Sequence, residues 1–131
     1  MKITQKLLDN LTAQAKESPR LRMNMDLRNS SADTSQRMLN AIEPGSVVPI
    51  HRHKKTSETV VVLRGGVVEE FYSSSGALED VCEVSAGGKV CALNIPAGTW
   101  HTLKAMESGT VILEMKDGGY EPIAEDDIMQ K

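Results

Sequence analysis

Aromatic residues are scarce in this 131-residue chain, with one Phe, one Trp and two Tyr. Its core must therefore be filled by aliphatic side chains and by some of the seven methionines, which makes Met23, Met25 and Met38 gap fillers before redox or soft-metal groups. Cysteine is scarce as well. Cys82 and Cys91 are not at a zinc-binding spacing, and they flank the turn 85–89 symmetrically, so hairpin pairing could set them opposite each other. Read as a cytoplasmic protein, the chain is expected to keep both thiols reduced. No uninterrupted apolar run approaches the ~20 residues of a membrane span. The first residues, Met1-Lys2-Ile3-Thr4-Gln5-Lys6, lack the apolar centre of a secretory signal. The formal net charge is −3, with both signs mixed, which favours neither nucleic acid nor an anionic membrane as partner. Lys54-Lys55 reads as a charged turn.

Histidine is nearly absent too, but the three present are informative. His51 and His53 alternate on an extended segment, and His101 follows Pro96-Ala97-Gly98-Thr99-Trp100. Alternation puts His51 and His53 on one side of a strand, about 7 Å apart. Glu58 opens the next apolar run, sharing a face with Val60 and Val62. If that face is the one the two histidines use, a hairpin brings three ligands together. His101 would complete the set on a later strand, with Thr99 and Leu103 on its face and Trp100 pointing away. Three imidazoles and one carboxylate suit a divalent transition metal. Any one histidine alone would be read as an exposed or hydrogen-bonded residue; the constellation is read as a metal site.

The rest of the pattern is that of a mainly β protein forming one domain over 1–131. Leu7, Leu8, Leu11 and Ala15 form one apolar stripe after Thr4, a helix over 4–16, with Ser18-Pro19 ending the N-terminal segment 1–17. Residues 21–27 alternate apolar and polar as a half-buried strand. Further strands are expected near 36–43, 46–53, 58–64, 67–72, 78–84, 90–95, 99–104 and 109–116, separated by Gly, Pro and Ser turns. Many short, evenly spaced strands over 18–116 predict a sandwich or barrel, followed by a tail over 117–131.

In these motifs the chain resembles the cupin superfamily, and more closely its small WbuC-type metalloproteins associated with bacterial surface-polysaccharide gene clusters. The matching stretches are residues 18–24, Gln36 to Gly45, His51-Arg52-His53, Val61 to Gly65, Pro96 to His101 and Gly118-Gly119-Tyr120. The resemblance implies a cupin-type β-barrel (jelly roll) with one N-terminal α-helix, a homodimer, and a metal held by His51, His53, Glu58 and His101. Val90 and Ala105 stand where the second cupin motif usually has glycine and asparagine. The tail lacks the aromatic residues expected of the closer relatives.

One divalent ion, Zn, Fe, Mn or Ni, is the implied cofactor. An octahedral metal with these four ligands keeps about two positions open, whereas a tetrahedral zinc would be closed. Both a metal-dependent enzyme (isomerase-like, or third a dioxygenase) and a non-catalytic binding or regulatory module therefore stay open. The partner expected is a small polar or sugar-related metabolite. Arg22, Asn24, Arg37 and Asn40 are the ligand-binding candidates, the two guanidiniums suiting anionic or sugar-phosphate groups. Glu70, Tyr72 and Glu114 are the candidates for moving a proton. Alternation alone leaves open whether Glu70 and Tyr72, or Val67, Glu69 and Phe71, face inward.

Overall fold

The computed structural model describes residues 1–130. Helix α1, Gln5–Glu17, starts where Thr4 Oγ1 accepts a hydrogen bond from Leu7 N at 3.2 Å, an N-cap that satisfies one otherwise orphaned donor. Its apolar stripe, Leu8, Leu11 and Ala15, is buried against Leu39, Ala41 and Val111. Met23, Met25, Leu63 and Leu113 pack around that contact.

The eight strands are β1 Arg22–Asp26, β2 Ser35–Ile42, β3 Glu58–Arg64, β4 Gly66–Tyr72, β5 Leu78–Ser85, β6 Ala92–Ile95, β7 Trp100–Ala105 and β8 Thr110–Asp117. They form two antiparallel sheets. The larger has the order β1-β2-β8-β3-β6, the smaller β5-β4-β7. One apolar core draws on both: Ile42, Val60, Val62, Ile95 and Ile112 from the larger sheet, Val67, Val84 and Leu103 from the smaller. The chain passes between sheets at Gly65, whose φ is +75° and where a Cβ would lie 2.9 Å from Thr110 Cα. Only glycine fits that close approach. The fold is thus mainly β, two packed antiparallel sheets with one helix outside.

The strand expected over 46–53 does not form. Pro49 has no N–H to offer a ladder, and only His51 is bridged, to His101 on one side and Ile128 on the other. The hairpin expected to join His51 and His53 to Glu58 is therefore replaced by a different arrangement. The segment carrying His51 extends the smaller sheet, while Glu58 begins β3 of the larger one. The strand expected over 90–95 shortens to Ala92–Ile95. Beyond β8, a 3-10 turn at Glu125–Asp127 returns the tail to this region, where Arg52 N donates to Asp127 O at 3.0 Å and Met129 N to Ile50 O at 2.8 Å. Cys82 and Cys91 are free thiols; Cys82 sits opposite Glu69 in the β4–β5 ladder, not opposite Cys91.

Candidate metal centre and its cavity

Backbone pairing sets the first two imidazoles side by side. His51 N donates to His101 O at 3.0 Å and His101 N to His51 O at 2.9 Å, which places the ring centroids 4.5 Å apart. His53 joins them across the sheet gap, 5.3 Å from His51 and 6.1 Å from His101. One nitrogen from each of the three rings lies within 4.8 Å of the others. Glu58 completes the corner, its Oε2 3.1 Å from His53 Nε2.

The donors fit a divalent metal. His51 Nδ1 donates to Pro49 O at 2.8 Å and His101 Nδ1 to Thr99 O at 2.9 Å. Each bond fixes the tautomer in which Nε2 keeps its lone pair, the usual outer support of a ligating histidine. Opposed ligands at ~2.1 Å from an ion stand ~4.2 Å apart, so a small contraction of the triad suffices. Burial, and then the neighbouring His101, pushes His51 down to about 4. Burial likewise lowers His101. Both rings are therefore neutral, and able to ligate, at neutral pH. Burial alone would raise Glu58, but the hydrogen bond from His53 and the three imidazoles outweigh it and hold the carboxyl below its ordinary value.

The group opens onto a cavity of about 220 Å³ between the sheets. Arg22, Asn24, Asn40 and Glu114 line it, together with Arg20, Lys116 and the tail residues Tyr120 and Ile128. Alternation explains the selection. On β2, Gln36, Met38, Asn40 and Ile42 face the cavity while Arg37, Leu39 and Ala41 face outward. Arg37 thus lies outside, bonded to Asp33 Oδ2 at 2.9 Å and Ser35 O at 2.8 Å. Glu70 and Tyr72 also lie outside, on the outer face of the smaller sheet beside Lys104 and Thr102. Tyr72 OH donates to Glu70 Oε1 at 3.3 Å. Trp100 is outside too, with the Arg52 guanidinium 4.5 Å over its ring.

The inner face of β4 is the one with Val67, Glu69 and Phe71, which alternation leaves open against Glu70 and Tyr72. Glu69 is fully buried, and neither carboxylate oxygen has a hydrogen-bond partner. Burial, then the charges of Glu58 and Glu114, push it up to about 9, so it is a neutral acid at pH 7. Glu114 is pushed up to about 7, by burial first and Glu58 second, opposed by a 3.4 Å hydrogen bond from Asn40 Nδ2 and by Lys116. Lys116 Nζ also stands 3.5 Å from His53 Nδ1. It was findable from sequence, two residues after Glu114 on one face. The tail residues were not, since no periodicity marks them.

Solved structures similar to this fold include KdgF from Halomonas sp., with a TM-score of 0.62 and 16% identity over 79% of this chain and 84% of that one. The capsular polysaccharide assembling protein CapF from Staphylococcus aureus matches with a TM-score of 0.65 and 22% identity over 86% of this chain. Oxalate decarboxylase from Bacillus subtilis, a protein with Mn(II) centres, matches with a TM-score of 0.60 and 20% identity over 83% of this chain. The chain spans only 32% of that CapF chain and 27% of the oxalate decarboxylase chain. These neighbours are cupin-fold proteins, and what they share with this chain is the fold. No curated protein matches it in sequence. The model of one family, Domain of unknown function (DUF6016), matches residues 3–84, a stretch that takes in α1, β1 to β4 and His51, His53 and Glu58, and the chain belongs to that family.

Proposed function

We propose that His51, His53, Glu58 and His101 hold one divalent transition metal, Zn, Fe, Mn or Ni, and that the protein is an isomerase-like enzyme acting on a small polar, sugar-related metabolite. The observation that carries this reading is the imidazole triad, with the tautomers of His51 and His101 fixed by backbone carbonyls, at the wall of a cavity lined with polar side chains. A capsular polysaccharide assembling protein among the fold neighbours favours surface-carbohydrate metabolism as the setting, in keeping with the WbuC-type resemblance. A cytoplasmic homodimer is the form we favour, covering the outer face of the smaller sheet where Leu78 and Val81 are exposed.

When bound, the metal would polarise a carbonyl or hydroxyl oxygen of the substrate. The chain's own residues do the rest. Glu114 takes the proton from the carbon beside the carbonyl, then returns it to the former carbonyl carbon as the hydroxyl proton passes to the former carbonyl oxygen. Its elevated pKa suits it to both transfers near neutral pH. Asn40 orients that carboxyl through its Nδ2. The neutral Glu69 adds no charge to the interior, so Glu58 stays available as an anion.

Elemental analysis of untagged protein beside a His51→Ala variant tests the centre; equal metal content in the two would remove it. Deuterium uptake from D2O into hydroxy-carbonyl sugars tests the chemistry. Glu114→Gln is expected to lower that exchange by about 10²-fold or more with metal content unchanged. Full metal content without any exchange would leave a metal-dependent binding module in place of an enzyme.

A further inference from the structure

The chain has six arginines, and four of them hold an aspartate: Arg28 with Asp26, Arg37 with Asp33, Arg52 with Asp127 and Arg64 with Asp9. The other two, Arg20 and Arg22, form no ion pair among the described residues, and both line the cavity. We propose that Arg20 and Arg22 form an anion-binding subsite that takes the carboxylate or phosphate of a sugar-derived ligand at the end of the cavity remote from the imidazoles. The proposal rests on the functional reading of that cavity and adds the substrate class.

Three features show that the pair is built. Leu21, between the two arginines, has φ +55° and is the one non-glycine residue with positive φ among those described. A branched, bulky side chain rarely adopts that conformation, and backbone strain of this kind gathers at ligand sites. It is held from both sides: Leu21 N donates to Ser18 O at 3.0 Å and Glu43 N to Leu21 O at 2.9 Å. Ser46, which is 6% exposed, ties the arginines together. Its Oγ donates to Arg20 O at 2.7 Å and accepts from Arg22 Nη1 at 3.2 Å, and Arg22 Nη1 also donates to Val47 O at 2.9 Å. One arm of the Arg22 fork is thereby fixed, while its Nε and Nη2 have no acceptor among the described residues. A fixed fork with two donors to spare is the geometry that grips a carboxylate or phosphate.

Two adjacent guanidiniums without a counter-charge repel each other, and partial burial adds to the cost of keeping Arg22 charged. A bound anion would relieve both. The carboxylates of the cavity do not serve: Glu58 is engaged by His53 and Glu114 by Asn40, and Glu121 bonds neither arginine. The sheet register separates the two ends. Arg22 is level with Ile42 and Thr110, Glu58 with Lys116. Those rows are six residues apart on β8, about 20 Å of backbone. A ligand that engages both the arginines and the metal centre is therefore longer than a single sugar, and its anionic group stands away from the reacting carbon. Between the ends Asn24 pairs with Asn40, whose buried Oδ1 has no donor, an acceptor suited to a sugar hydroxyl.

The test is titration of the metal-loaded protein with glucuronate, glucose 6-phosphate and glucose, followed by calorimetry. One of the two anionic sugars is expected to bind at least tenfold tighter than glucose, and which one distinguishes carboxylate from phosphate recognition. Arg22→Gln and Arg20→Gln should each weaken that probe by about tenfold or more, with metal content kept in both and melting temperature kept in Arg20→Gln. Arg22→Lys should recover part of the loss. Arg20 is exposed, so its variant folds and decides the matter if Arg22→Gln does not. Equal binding of all three sugars, or unchanged affinity in Arg20→Gln, would overturn the proposal. His51→Ala separates the two readings: it should lose metal yet still bind the anionic probe, so the subsite can stand if the metal centre fails.

Discussion

Strands β1, β2 and β8 show one sheet doing two different jobs on its two faces. On the outer face, Met23, Met25, Leu39, Ala41, Val111 and Leu113 meet the apolar stripe of α1. On the inner face the intervening residues include Asn24, Asn40, Glu114 and Lys116, which line the cavity. Neighbouring residues in sequence thus serve stability and chemistry separately, because successive side chains leave a strand on opposite sides. The dry face can be optimised for packing without disturbing the wet one. The wet face holds orphaned polar atoms, at Gln36 Oε1 and Asn40 Oδ1, and both oxygens of Glu69, on the inner face of β4 in the facing sheet, are orphaned as well. Unsatisfied buried polar groups destabilise a fold, and they concentrate where function requires them.

Removing packing from the dry face should have the largest effect. Leu39 is fully buried under α1, so Leu39→Ala should lower stability by about 2–5 kcal/mol through lost burial and the cavity left behind. Metal content should stay at the wild-type value, because the change lies on the far side of the sheet. Urea denaturation with parallel elemental analysis would check both. A loss under about 1 kcal/mol, or a fall in metal content, would show that the two faces are not separable.

Glu69 marks the strain of the wet side, and its effect depends on pH. The folded carboxyl holds its proton up to about pH 9 against an ordinary value of 4.5. Between those values the native state binds a proton that the unfolded chain has released. Stability must then fall as pH rises through this window, by about 1.4 kcal/mol per pH unit. Below pH 4.5 both states are protonated and no difference remains. Glu69→Gln keeps the shape without the titration, so between pH 6 and 8 it should escape about 2–3 kcal/mol of the loss seen in wild type. Denaturation midpoints at pH 6, 7 and 8 in EDTA would show the two curves diverging; parallel curves would mean that Glu69 is not held neutral by the fold.

Much of this arrangement is legible before any coordinates. The stripe of α1, the short strands and the spacing of His51, His53, Glu58 and His101 follow from periodicity and residue type, which are local properties. What resists reading is relative orientation. Each face of β4 offers a glutamate and an aromatic residue, Glu70 with Tyr72 or Glu69 with Phe71, so alternation is symmetric and only the packing of two sheets selects Glu69. Arg37 and Asn40 differ by three positions and therefore must face opposite ways, a constraint that excludes using both in one cavity. His51 pairs with His101 and not in a hairpin with β3, because Pro49 interrupts the ladder and the tail supplies the other neighbour. The tail's role depends on contacts more than 70 residues apart in sequence, such as Arg52 with Asp127, which no local pattern encodes.

The finest test of the two-face comparison uses the residue next to Leu39. Asn40 makes one long side-chain hydrogen bond, 3.4 Å from Nδ2 to Glu114 Oε1, and leaves Oδ1 buried without a partner. Asn40→Leu keeps the volume, removes the orphan and gives up the bond. These terms oppose each other at similar size, so the net change in stability should stay within about 1 kcal/mol. Glu114, having lost a hydrogen bond that favours its charged form, should titrate higher than in wild type, which carbon NMR of the labelled carboxyl would detect. Adjacent substitutions would then differ several-fold in stability, with the smaller one alone altering the proton-moving group. A large destabilisation by Asn40→Leu would instead mean that the wet face helps hold the sandwich together, and the division of labour between the faces would have to be given up.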